Sequence, residues 1–167
     1  TNQRLSLGED RSVLLVNLDA RITRAGVFKL SFAMPVGLEI ESITGNALSH
    51  WTDMKSGDGT VVTLHLKGKT EGNAQFQINL AGAGLEKTES WQVPRVAIRE
   101  ATKENGQLFI IPEQGIRVYM KDRNGVSQLD PKQAGIRDRG VLAFRLLQGD
   151  WTLSFDVERV DPWIQAV

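Results

Sequence analysis

The chain has 167 residues, 41% apolar and 24% charged, with 20 basic and 20 acidic side chains and hence no net charge. That neutrality excludes the bulk field that draws proteins to nucleic acid or to an anionic membrane, and the length suits one domain or at most two small ones. There is no cysteine, which removes disulfides, thiolate metal sites and thiol nucleophiles together.

The chain opens T-N-Q-R-L-S-L-G-E-D, without the basic start and apolar centre of a signal peptide or an initiator Met. A fragment of a longer protein is the expectation. No apolar run approaches the roughly 20 residues that span a bilayer, so no direct membrane insertion is expected of this segment.

Val13–Val16 is a continuous apolar run that passes into alternation through Leu18, Ala20 and Ile22. A strand buried first on both faces and then on one fits this pattern. In Val27–Met34, Phe28, Leu30, Phe32 and Met34 share a face, and Pro35 ends the strand because it cannot donate to a ladder. Gly37–Ile43 turns Leu38 and Ile40 inward and Glu39 and Glu41 outward. Leu48–Met54 is shorter and more polar, and Ser56-Gly57-Asp58-Gly59 is a turn.

The clearest signal runs from Thr60 to Leu80. Val62, Leu64 and Leu66 alternate with Thr63, His65 and Lys67; Phe76, Ile78 and Leu80 alternate with Gln75, Gln77 and Asn79. Two such neighbouring runs predict an antiparallel pair with one side on a core and the other wet. A slip of one residue would expose all six apolar side chains, so the alternation specifies register.

After Leu80, A-G-A-G-L-E-K-T-E-S is the least structured segment and the place for a subdivision into 1–85 and 86–167 of an otherwise single domain, 1–167. Trp91–Arg99 carries Pro94 and is expected at a sheet edge or around a bulge. Gln107–Ile111 and Gly115–Lys121 follow, with Asn124-Gly125 as a turn dipeptide. Asp130-Pro131 can cap and start a single helical turn. Val141–Leu147 and Trp151–Val160 predict a last hairpin, with Trp151, Leu153, Phe155 and Val157 on one face. About eleven short strands and at most one helical turn near Pro131 describe an all-β, antiparallel β-sandwich.

Motifs for chemistry are sparse. The only histidines, His50 and His65, sit in separate predicted strands with no H-E-x-x-H spacing, so no metal ligand set is expected. Glu39 and Glu41 pattern as a solvated strand face. No G-x-S-x-G elbow occurs, and the G-A-G at Gly82–Gly84 lacks the third glycine of a dinucleotide fingerprint. No catalytic residue and no cofactor are expected. Four tryptophans remain: Trp51, Trp91, Trp151 and Trp163. An exposed indole on a β-sandwich can stack on a sugar ring, although aromatics of this size more often fill cores. Trp51 beside His50 and Asp53, with Trp163, forms the candidate ligand-binding set.

The second half carries E-S-W-Q-V-P-R-V-A-I-R-E, N-G-Q-L-F-I, E-Q-G-I-R-V-Y-M, L-A-F-R-L and D-W-T-L-S-F-D-V-E-R-V-D-P-W-I. These strings resemble β-rich segments of very large, uncharacterised bacterial cell-envelope proteins, over approximately Gly37 to Ile164. The resemblance implies an extracytoplasmic setting, periplasmic or in the cell envelope, and no functional residues. The leading expectation is a non-catalytic structural or protein-interaction module whose partners are other segments of the parent chain or another protein. The alternatives are a carbohydrate-binding module using exposed tryptophan and a glycan-active enzyme with a carboxylate site.

Overall fold

A computed structural model describes the chain except for residues 1, 9, 23–28, 36, 58, 68–71, 85–89, 97, 100–104, 114, 130–140, 148–149 and 160–167. The expected helical turn near Pro131, and Phe28, lie outside the described residues.

The described residues form thirteen strands and no helix. β1 (Asn2–Leu7) and β2 (Arg11–Ile22) pair as a hairpin, followed by β3 (Lys29–Ala33) and β4 (Leu38–Gly45). β5 (Leu48–Ser56) and β6 (Gly59–Leu66) make a second hairpin across the turn expected there, with Gly57 at φ +61°. β7 (Gly72–Ala83) is long and β8 (Ser90–Gln92) short. Then come β9 (Gly106–Pro112), β10 (Ile116–Asn124), β11 (Val126–Leu129), β12 (Leu142–Leu146) and β13 (Thr152–Arg159).

The strands sort into a seven-stranded sheet, β11-β12-β9-β1-β2-β7-β4, and two three-stranded sheets, β10-β13-β8 and β3-β6-β5. Neighbours are antiparallel with one exception. β1 runs parallel to β9, from Asn2 opposite Gln107 to Leu7 opposite Pro112. The large sheet therefore takes strands from both sides of residue 85.

One continuous apolar core joins all three sheets. The large sheet contributes Leu5, Leu14, Val16, Ile78, Leu80, Leu108 and Ile110, and the small ones contribute Phe32, Val62, Leu64, Leu153 and Phe155, each at most 1% exposed. Every fully buried side chain of this kind is worth about 1.5–3 kcal/mol, an upper figure because unfolded chains already bury some surface. The segment after β8 ties the two small sheets into one layer. β8 pairs with β13, while Ile98 bridges to Phe32 and the Arg99 N–H donates to the Ser31 carbonyl at 2.8 Å.

The alternation in Thr60–Leu80 is as expected: Val62, Leu64, Leu66, Phe76, Ile78 and Leu80 are all buried. The pairing is not. β6 bonds to β3 and β5, whereas β7 bonds to β2 and β4, so the two runs lie in different sheets and turn their apolar sides to one shared core. The expected last hairpin departs in the same way, with β12 beside β9 and β13 beside β10. Strands facing each other across a sandwich carry the same apolar alternation as strands side by side.

Two further departures are local. β7 continues past Leu80 to Ala83, and Gly82 admits the chain entering β4 so closely that a Cβ there would meet the Gly37 carbonyl oxygen. β8 is only three residues long and stops before Pro94, at the sheet edge expected for it. In β4 a bulge at Glu41 lets Ile40 and Ile43 both face inward, opposite Leu80 and Ile78.

Among the described residues, two polar side chains lie within the apolar layer. Gln3 is 1% exposed and donates weakly to the Val96 carbonyl at 3.4 Å, and Ser12 is fully buried with no hydrogen-bond partner for its hydroxyl. A buried, unpartnered hydroxyl costs about 1–3 kcal/mol. Ser12→Ala is accordingly expected to raise unfolding free energy by about 1 kcal/mol in urea titration, while Ile78→Ala lowers it by about 2–5 kcal/mol. Gln77→Ala, on the wet face of the same strand, is expected to stay within about 0.5 kcal/mol of the parent.

Candidate functional site

The most unusual side-chain arrangement lies on the outer face of the β3-β6-β5 sheet. Register places Lys29, His65 and His50 in one row across three strands, with Ser31, Thr63 and Thr52 in the next. A bulge between Leu48 and His50 brings His50 opposite His65. Their rings stack with centroids 4.3 Å apart and planes 7° from parallel. The Thr52 hydroxyl lies 2.9 Å from His65 Nε2 and the Ser49 hydroxyl 3.1 Å from His50 Nδ1. Partial desolvation first, then the charges of His50 and Lys29, hold the His65 imidazole below its ordinary value. Parallel stacked rings share π-faces and do not point both nitrogens at one centre, and among the described residues no three ligating side chains cluster.

Of the expected ligand-binding set, Trp51 and Asp53 share the inner side of β5, opposite Leu64 and Val62, while His50 points to the other face. β5 overhangs the core: Trp51 is 36% exposed although its neighbour Leu64 is fully buried. Trp163 lies outside the described residues. Trp151 is buried, as its alternation implied, and Trp91 meets Phe155 edge-on with centroids 5.4 Å apart. Glu39 and Glu41 are both exposed on β4, and Glu41 pairs with Arg11.

A feature missed in sequence is a shallow groove of about 450 Å³ on the outer face of the large sheet. Asn2, Asn17, Gln77 and Thr44 form one row across β1, β2, β7 and β4, with Asp19 and Gln75 beside them. The Asn46 side chain accepts the Gln75 backbone N–H at 3.0 Å and closes one end. Amides at Asn73, Gln75, Gln77 and Asn79 of the wet face were its only signal. The neighbouring strands that complete the row are distant in the chain.

Comparison with family models and with curated proteins gives no match. Similar folds occur among solved structures. A two-domain M1 zinc metallopeptidase bound to L-tryptophan superimposes with a TM-score of 0.52 at 8% identity, over 93% of this chain and 41% of that one. A mutant M1 zinc metallopeptidase from Deinococcus radiodurans gives 0.51 at 10% identity, over 93% and 41%. Yeast LTA4 hydrolase with bestatin gives 0.52 at 9% identity, over 92% and 27%. The chain thus spans well under half the length of these proteins, and at such identities the likeness is one of fold alone.

The histidine pair yields a pH prediction. Because the fold lowers the His65 value, the unfolded chain binds the proton more tightly. This contribution to stability is complete above about pH 6.5 and is lost as pH falls from there through the folded value. Proton NMR of the ring is expected to show His65 titrating below the ordinary histidine range and moving upward in His50→Ala.

Proposed function

We propose that this chain is a non-catalytic β-sandwich module, a structural or protein-interaction part of a longer extracytoplasmic envelope protein of bacteria. One observation carries the reading: a fold covering 93% of this chain accounts for only 41% of the M1 metallopeptidase chains that contain it. The present sequence has only His50 and His65, with no H-E-x-x-H to seat a catalytic zinc. Its partners are other segments of the parent chain or another protein, met through sheet edges and polar faces. The extracytoplasmic setting rests on the resemblance of the second half to envelope-protein segments.

Carbohydrate binding is a second reading, favoured by the exposure of Trp51 at the rim of β5. A glycan array separates the two. Binding that falls at least about tenfold in Trp51→Ala supports the sugar module, as stacking on an indole is worth roughly 1.5 kcal/mol. For the leading reading, peptide- and glycoside-hydrolysis assays are expected to stay at background, and calorimetry with flanking segments of the parent chain is expected to give a saturable isotherm. Real turnover by the purified chain would remove it.

A further inference from the structure

β5 is a terminal strand of its sheet, and its free side is occupied by no described strand. Every residue from Ser49 to Lys55 is exposed, on both faces of the strand. Trp51 and Met54 are among the few large apolar side chains exposed, the latter at 74%. Natural edges are blunted by proline, bulges or inward charges. The bulge here sits at one end, and from His50 to Ser56 the register against β6 is unbroken. This segment has no proline, and its two inward charges, Asp53 and Lys55, are of opposite sign, so a partner strand that offers the complementary pair can add to the edge.

We infer that β5 pairs antiparallel with β5 of a second copy of this chain, around a two-fold axis at Met54. The occupant follows from charge. Asp53 and Lys55 lie two residues apart on one face, and a two-fold antiparallel pairing sets each residue opposite its mirror position. Centred on Thr52, it sets Asp53 against Trp51; centred on Asp53, it sets two carboxylates against each other. Centred on Met54, it sets Asp53 against Lys55 of the partner subunit and Lys55 against Asp53 of the partner subunit. Both directly opposed pairs are then attractive, and Met54 meets its own copy on the other face. The product is a continuous sheet, β3-β6-β5-β5-β6-β3, through two molecules that carry no net charge to repel them. This pairing is independent of the module reading, which survives its failure.

The cysteine-free chain makes the test direct. Met54→Cys under mild oxidation is expected to form a disulfide-linked dimer at least about tenfold faster than Tyr119→Cys, an exposed position on β10, because pairing raises the local thiol concentration. In sedimentation equilibrium, Asp53→Lys is expected to weaken self-association at least about tenfold, and the swapped Asp53→Lys/Lys55→Asp chain to recover to within about threefold of the parent. Circular dichroism confirms that each variant folds. Equal oxidation rates at the two positions, a parent chain that stays monomeric at millimolar concentration, or a dimer indifferent to the charge changes would each overturn the pairing.

Discussion

The apolar inner face of a seven-stranded sheet must be covered, and no single strand pair in this chain is wide enough to cover it. Two three-stranded sheets do so together, and that shared cover organises the molecule. Leu14, Val16, Ile78 and Leu80 on one side meet Phe32, Val62, Leu64 and Phe155 on the other, all at most 1% exposed. β8 bonds to β13, while Ile98 and Arg99 bond to β3, and these contacts link the two small sheets.

What lies beyond that cover is free to differ. β5 extends past the edge of the core, so its inner side carries Trp51, Asp53 and Lys55 without burying them. Its outer side stacks His50 on His65, where desolvation first and then the charges of His50 and Lys29 hold the His65 imidazole below its ordinary value. On the far side of the large sheet, Asn2, Asn17, Gln75 and Gln77 line a shallow groove across β1, β2, β7 and β4, with Asp19 beside them and Arg4, Arg11 and Arg21 exposed on the same face.

Much of the apolar core was legible from alternation, though the burial of Gln3 and Ser12 was not. Leu30, Phe32, Val62, Leu64, Leu66, Phe76, Ile78, Leu80, Trp151, Leu153 and Phe155 were read as inward from alternation and are buried. The turn at Gly57 and the edge position of the strand near Pro94 followed from backbone chemistry, but the strand expected over Trp91–Arg99 ends at Gln92, ahead of Pro94. Pairing was not legible. β6 and β7, like β12 and β13, are neighbours in the chain and lie in different sheets. The candidate site was half legible: Trp51 was a candidate for an exposed indole and is 36% exposed, but the stack of His50 on His65 depends on a bulge that no local motif announces.

The amino-acid order alone determined the class of fold and the side of each strand that meets the core, because period-two alternation is written into the chain and burial follows from it. The parallel contact of β1 with β9, the assignment of strands to layers, and the gathering of Asn2, Asn17, Gln77 and Thr44 into one row were decided only in three dimensions. The physical reason is that backbone hydrogen bonds are the same for every partner. A strand with one greasy face is satisfied by any neighbour that continues the layer, and the choice among them is made by the packing of the whole core.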